Sequence, residues 1–194
     1  MLITLMGKSG SGKTTIGRLL SKLNENIQVL DVDKIAHKVY ENEMVRNKVI
    51  EVFGNKVLDE SGNISRKELS KIVFNDKEKM KILCDITYSY IEKQIDDFIS
   101  KNKIIVLDYA LLPKTKYFDE SDIRILVVSD NEKRNVRIQK RDNISEKDFM
   151  LRDKNSIDYS NLNFDYTIVN NNDIDTLEAT LTDIYISCIL PKII

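Results

Sequence analysis

The 194-residue sequence has little of what several common classes of protein require. Its two cysteines, Cys84 and Cys188, are far apart in sequence and lack metal-ligand spacing. They indicate neither a disulfide framework nor a metal centre, so we interpret them as core residues of a protein kept in the reducing cytoplasm. The single histidine, His37, has no second histidine to act with, and we assign it no role.

Long hydrophobic runs and an excess of one charge are also missing. The apolar residues 1–6 have only the length of a strand and no basic residues before them, which does not fit a signal peptide. No stretch is long enough to span a bilayer. Thirty basic residues against 31 acidic ones leave a net charge of −1, without the basic excess typical of nucleic-acid binding. We therefore expect no nucleic acid and no membrane as partners.

Glycine is scarce as well, yet four of the six glycines lie between residues 7 and 17. Residues 7–14 read GKSGSGKT and match the phosphate-binding pattern G-x-x-x-x-G-K-[ST] at every specified position. The apolar residues 2–6 before the loop have strand length, and the apolar residues at 16, 19, 20 and 23 have helical spacing. Strand, glycine loop and helix therefore follow the order that the motif requires.

The glycine loop predicts a site for a nucleotide polyphosphate. Glycines let the backbone bend so that successive N–H groups point at the phosphates, and the following helix adds the positive end of its dipole. Lys13 can reach the terminal phosphates, and the Thr14 hydroxyl can bind Mg²⁺. An ordinary glycine-rich turn would not need this complete pattern.

Four further apolar runs, at residues 27–30, 104–107, 123–128 and 166–169, are predicted strands. Helical periodicity between them predicts an α/β fold, a parallel sheet of about five strands with helices on both faces. The long gap between the second and third runs has helical patterns and is interpreted as an insertion beside the nucleotide site. A charged helical stretch at 131–155 and a last helix at 173–189 complete the prediction.

Other residues must distinguish among nucleotide-binding proteins. No Asn-Lys-x-Asp or Leu-Ser-Gly-Gly sequence indicates a GTPase or a transporter ATPase, and the chain is too short for a motor domain. Asp31 and Asp33 end the second predicted strand, at the edge of a parallel sheet where active sites lie. A carboxylate there can accept the proton of an attacking hydroxyl. Alternatively, the two aspartates cap a helix predicted over residues 34–40.

These features resemble the dephospho-CoA kinase family, whose members use ATP to phosphorylate the ribose 3′-hydroxyl of dephospho-coenzyme A. Each motif alone is weak, but their order and spacing over nearly the whole chain are strong. The similar segments are GSGKT at 10–14, VLDVDKIA at 29–36, FGNKVL at 53–58, SGNISRKEL at 61–69, VFND at 73–76, RIQKRD at 137–142 and residues 165–171.

The resemblance implies a single P-loop kinase domain over residues 1–194, with a helical acceptor-binding insertion at about 37–101 and a lid at about 134–155. Asp33 would be the general base and contact the substrate, and Lys13 and Arg141 would stabilise the transferred phosphoryl group. Arg66 would bind a substrate phosphate, unless it is only a solvated helix residue. The implied ATP-binding residues are Ser9, Gly10, Ser11, Gly12, Lys13, Thr14, Thr15, Arg137 and Asn171.

Magnesium is the cofactor that the resemblance implies, held by Thr14 and, through water, by Asp108 after the third predicted strand. Asp108 could equally be a plain turn residue, and Arg137 an exposed one. We expect a monomer or a weak homo-oligomer.

The chain departs from the family pattern at Tyr88-Ser89, at residues 110–114 and at Lys154. Two alternatives therefore stay open: a kinase for another nucleotide-like or small-molecule alcohol, and an inactive nucleotide-binding regulatory protein.

Overall fold

The computed structural model describes residues 1–193, so residue 194 of the predicted domain lies outside the described residues. It confirms the five predicted strands, and the second and third each extend by one residue to an aspartate. The strands are β1 (Leu2–Met6), β2 (Ile27–Asp31), β3 (Ile104–Asp108), β4 (Ile123–Val128) and β5 (Tyr166–Val169).

All strand pairs among the described residues are parallel, and the strand order is β2-β3-β1-β4-β5. Asp108 at the end of β3 is in register with Leu5 of β1 on one side and with Asp31 of β2 on the other. The carboxyl ends of the strands therefore meet at one edge of the sheet, directly beside the start of the glycine loop.

The helices agree with the predicted pattern, with two corrections. The charged stretch 131–155 is two helices, separated at Asn143, which has a φ of 51°. The helix predicted over 34–40 begins at Val32, so Asp33 lies in its first turn and not before it. The helices are α1 (Lys13–Leu23), α2 (Val32–Lys38), α3 (Glu43–Phe53), α4 (Arg66–Val73), α5 (Lys77–Lys101), α6 (Lys116–Asp119), α7 (Asn131–Asp142), α8 (Glu146–Lys154) and α9 (Ile174–Ile184).

The hydrophobic core lies where α1 and α9 pack on the sheet. Ile3 and Leu5 of β1 contact this core, together with Ile16 and Leu20 of α1 and Leu181 of α9. Each such buried side chain contributes about 1.5–3 kcal/mol to folding. All five residues of β1 are buried, so both faces of the central strand are covered, as the predicted α/β fold requires.

The chain divides into two compact units. The first, here called the sheet unit, is Met1–Asp31 together with the chain from Asn102 onward, and the second, the helical unit, is Val32–Lys101. In the helical unit, α2, α3 and α4 each pack on the long helix α5. The single-domain organisation, the insertion and the lid remain predictions. Over residues 1–193, no helix has both the length and the apolar character needed to cross a membrane.

Candidate active site

The loop between β1 and α1 has a backbone that only glycine accommodates. Gly7, Gly10 and Gly12 have φ values of 143°, 79° and 104°. A Cβ atom on Gly7 would lie 2.2 Å from the carbonyl oxygen of Val127, and one on Gly12 would lie 2.1 Å from Nδ2 of Asn170. The predicted phosphate loop thus turns tightly against β4 and the segment after β5, and it delivers the chain into α1 at Lys13.

Lys13, Thr14 and Asp108 are brought together at the start of α1. The Thr14 hydroxyl donates a hydrogen bond to Asp108 Oδ2 at 2.7 Å, and Lys13 Nζ lies 3.8 Å from Asp108 Oδ1. Lys13 Nζ also donates to the carbonyl of Gly7 at 3.0 Å. Lys13 is 7% exposed and Asp108 is 2% exposed. Hydroxyl and carboxylate oxygens are the hard ligands that Mg²⁺ prefers, so this donor set fits the predicted metal.

Three successive carbonyl groups of the loop accept hydrogen bonds from outside it. Arg134 Nε donates to Ser9 at 2.9 Å, and Arg137 Nη1 donates to Gly10 at 3.2 Å. Asn170 Nδ2 donates to Ser11 at 2.7 Å. The predicted ATP contact Arg137 is therefore bound to the backbone of the phosphate loop in this structure. Of the other predicted loop contacts, Thr15 is half-buried in the first turn of α1.

Asn171 shapes the turn that follows β5. Its Oδ1 accepts hydrogen bonds from the Ser129 hydroxyl and the Asp130 N–H, both at 2.9 Å. Its carbonyl accepts from the ammonium of Lys133. The side chain thus ties the turn after β5, which holds this predicted ATP contact, to the segment between β4 and α7.

Arg141 lies at the end of α7 and is exposed. Its Nε donates to Asp142 Oδ1 at 2.7 Å, and its Nη2 lies 3.4 Å from the Ser9 hydroxyl. Arg152 of α8 donates to the other oxygen of Asp142 at 2.8 Å. The hydrogen bond from Arg141, with that from Arg152, holds the pKa of Asp142 below its usual value. The predicted catalytic arginine therefore reaches the rim of the phosphate loop.

The predicted acceptor residues lie in the helical unit. Asp33 is half-buried in the first turn of α2. Arg66, exposed at the start of α4, donates through Nη2 to the carbonyls of Ala36 and His37, at 3.2 Å and 2.7 Å. Its guanidinium carbon lies 4.9 Å from the centre of the Tyr40 ring. Arg66 therefore stabilises the last turn of α2. Asp33 lies in the first turn of the same helix.

The structure brings to the loop several residues that the sequence did not predict there. Asp153 accepts from Lys8 Nζ at 3.0 Å and pairs with Arg134, while Asn170 supports Ser11. Arg134 was predicted only as part of the charged helical stretch and as the start of the lid. Arg134, Arg137 and Arg141 have helical spacing, and this spacing does not reveal that Arg134 is buried. The sequence alone therefore could not identify it.

A glycine loop of this geometry, at the carboxyl edge of a parallel sheet and followed by a buried lysine and a threonine, defines a P-loop nucleotide-binding protein. Solved structures share the fold. TT1252 from Thermus thermophilus has a TM-score of 0.81 and 22% identity, covering 97% of each chain. A dephospho-CoA kinase from Campylobacter jejuni has a TM-score of 0.56 and 24% identity, covering 94% of this chain and 95% of that one.

Sequence relatives identify the family within this class. The family model described as dephospho-CoA kinase matches residues 1–176. A dephospho-CoA kinase of Fusobacterium nucleatum is 37% identical over 147 residues, 75% of each chain. One from Aquifex aeolicus is 33% identical over 189 residues, 94% of this chain and 95% of the relative. The chain belongs to the dephospho-CoA kinase family, and it is an ATP-dependent kinase.

Proposed function

We propose that the chain transfers the γ-phosphoryl group of ATP to the ribose 3′-hydroxyl of dephospho-coenzyme A, giving coenzyme A and ADP in the last step of coenzyme A biosynthesis. The observation that carries the proposal is the contact of Thr14 and the buried Lys13 with the buried Asp108, beside an intact phosphate loop and in a member of this family. Both substrates are small and anionic, and the protein would meet them in the cytoplasm as a monomer or a weak homo-oligomer.

The phosphates of ATP would be bound by the N–H groups of the loop and by Lys13. In this structure Lys13 Nζ is held by the Gly7 carbonyl and lies near Asp108, so its ammonium is fixed at the loop before ATP arrives. Donors that need no rearrangement stabilise the charge of the transition state more effectively than mobile ones. Arg141 would add a second cation from the rim of the loop, and Asn171 would border the adenine.

Thr14 and Asp108 would hold Mg²⁺ together with the phosphates of ATP. When bound, the ion neutralises charge on the β- and γ-phosphates. The Thr14 hydroxyl donates a hydrogen bond to Asp108 in this structure, which leaves its oxygen lone pairs for the metal. Asp108 thus orients the hydroxyl, and its buried carboxylate would hold the ion through a water.

The acceptor would be activated by Asp33. Its carboxylate takes the proton of the 3′-hydroxyl as the oxygen attacks phosphorus. Asp33 lies in the first turn of α2, two residues after the end of β2. Arg66 would bind a phosphate of the acceptor, since a guanidinium presents several donors in one plane.

We also propose that the segment at about 134–155 closes over ATP, because an open site would let water compete with the acceptor. Hydrogen exchange with and without a non-hydrolysable ATP analogue tests this closure. Slower exchange across α7 and α8 on binding is the expected result, and unchanged exchange there would contradict a lid.

The test of the whole proposal is a substrate panel. The protein is incubated with MgATP and dephospho-CoA, nucleosides or nucleoside monophosphates, and ADP formation is followed while mass spectrometry identifies the product. We expect ADP to form fastest with dephospho-CoA and the product to be coenzyme A. Faster turnover with a nucleoside or a nucleotide would reassign the acceptor and leave the kinase class intact.

A further inference from the structure

A buried arginine outside the proposed catalytic set fastens the phosphate loop to α7. Arg134 is 3% exposed, and its Nε donates to the Ser9 carbonyl at 2.9 Å. Its Nη1 donates to Asn131 Oδ1 at 2.9 Å, and its Nη2 pairs with Asp153. The guanidinium carbon lies 5.5 Å from the centre of the Phe149 ring. The loop, α7 and α8 therefore meet at one guanidinium group.

Asp153 compensates the charge of this arginine. A buried cation is costly unless an anion pairs with it, and Asp153 of α8 is that anion. Asp153 also accepts from Lys8 of the loop at 3.0 Å. Burial acts to raise the pKa of Asp153, but the hydrogen bonds from Arg134 and Lys8 outweigh it and leave the pKa below its usual value. The carboxylate is therefore ionised at neutral pH.

The geometry of the peptide bond gives the Arg134 contact a consequence for phosphate binding. In a trans peptide the carbonyl of one residue and the N–H of the next point in opposite directions. Holding the Ser9 carbonyl toward α7 fixes the direction of the Gly10 N–H. Holding the Ser11 carbonyl with Asn170 does the same for the Gly12 N–H. Gly10 fits tightly there, since a Cβ atom on it would lie 3.0 Å from the carbonyl oxygen of Arg134.

We propose that Arg134 is a positioning residue for ATP. It holds the Ser9 carbonyl so that the Gly10 N–H faces the phosphates before they arrive, and Asp153 keeps its charge compensated. Donors fixed in advance bind without paying for reorganisation at the moment of binding. The inference rests on one part of the proposed function, which is that the loop binds ATP.

Two double variants isolate the contact with Ser9. Arg134→Gln with Asp153→Asn and Arg134→Leu with Asp153→Asn both remove the ion pair, but only glutamine retains an N–H donor for the Ser9 carbonyl. We expect calorimetry with magnesium and a non-hydrolysable ATP analogue to give a Kd within about threefold of the parent for the first. For the second, the Kd should be more than about tenfold higher, or about 1.4 kcal/mol. Equal Kd values would overturn the proposal.

A single variant tests the division of roles and guards against failure of the leucine variant to fold. Asp153→Asn keeps Arg134 and its bond to Ser9, so we expect a lower Tm with a Kd for the ATP analogue within about threefold of the parent. A tenfold rise in that Kd would overturn the proposal, because the ion pair and not the Ser9 contact would then control binding. Glu146→Gln, with the same charge change in the first turn of α8, is the matched control.

These measurements are independent of the acceptor. If the parent binds ATP but does not phosphorylate dephospho-CoA, the proposed acceptor is wrong and the Kd values still decide the role of Arg134. In variants that remain active, a rise in KM for ATP with an unchanged kcat is the expected pattern. A fall in kcat alone would contradict a positioning role in ATP binding.

Discussion

The two units of the chain differ in the burial of their charged residues: among the described residues only the sheet unit has buried ones, although its Arg141 is exposed. In the sheet unit, Lys13, Asp108 and Arg134 are buried. Lys13 and Arg134 donate hydrogen bonds to carbonyls of the loop, and Asp108 accepts one from the hydroxyl of Thr14. In the helical unit, Arg66 is exposed and Asp33 is half-buried. Buried charges keep a fixed arrangement and feel little screening, while exposed ones are weakened by water and salt. We infer that the phosphate site is organised before its ligand binds and that the acceptor residues depend more on the ligand itself.

The largest expected effect comes from the phosphate site in the sheet unit. Lys13→Ala removes a buried cation whose charge serves the phosphates, so we expect kcat/KM to fall about a thousandfold, or about 4 kcal/mol. Steady-state kinetics measures the loss, and circular dichroism checks that the fold survives. Lys22→Ala, at an exposed position in the last turn of the same helix, should retain parental kinetics. Parental turnover by Lys13→Ala would remove the loop from the mechanism.

Asp33→Asn tests whether the helical unit also contributes to the chemical step. Asparagine has nearly the same shape but does not accept the proton of the acceptor hydroxyl, so single-turnover transfer should fall by about 10² to 10⁴ while ATP affinity is kept. Asp31→Asn, at the end of β2, is the matched variant and should lose less than about tenfold. The reverse order of losses would make Asp31 the base and Asp33 a helix-terminal residue.

Arg66→Ala should produce a smaller effect and reveal which ligand depends on the helical unit. We expect KM for dephospho-CoA to rise about tenfold while KM for ATP stays within about twofold, because one exposed charged hydrogen bond contributes about 1.5 kcal/mol. Lys67→Ala changes a neighbouring exposed cation and serves as the control. If KM for ATP rises as much as KM for the acceptor, Arg66 does not bind the acceptor specifically.

The smallest expected effect concerns stability in acid. The pKa of Asp153 is lowered in the folded state, because hydrogen bonds from Arg134 and Lys8 outweigh the effect of burial. Its contribution is therefore present above the ordinary aspartate pKa of about 3.9 and is lost as the pH falls through the lower folded value.

Urea denaturation of the parent and of Asp153→Asn between about pH 3 and pH 6 measures this contribution. The difference in free energy of unfolding, on the order of 1 kcal/mol near pH 6, should shrink toward pH 3. A difference that stays constant with pH would contradict the ion pair. Glu146→Gln should show no such trend.

The sequence predicted the strands more completely than the helices, for a physical reason. Five short apolar runs and the motif at residues 7–14 are local signals, and each strand was found within one residue. The start of α2 at Val32 was missed by two residues, because the helix begins directly at the end of β2 without a separating turn. The division of the charged stretch depends on a left-handed residue, Asn143, that periodicity does not reveal.

The sequence by itself determined the alternation of strands and helices, the phosphate loop and the resemblance to the family, because each is written in residues that are neighbours along the chain. Only the tertiary structure decided which distant residues meet. Asp108 and Thr14 are 94 residues apart in the sequence, and Arg134 and Ser9 are 125 residues apart, yet each pair is hydrogen bonded. The register of the parallel strands and the packing of α7 against the loop set these contacts, because residues so distant in the sequence meet only when strands and helices pack.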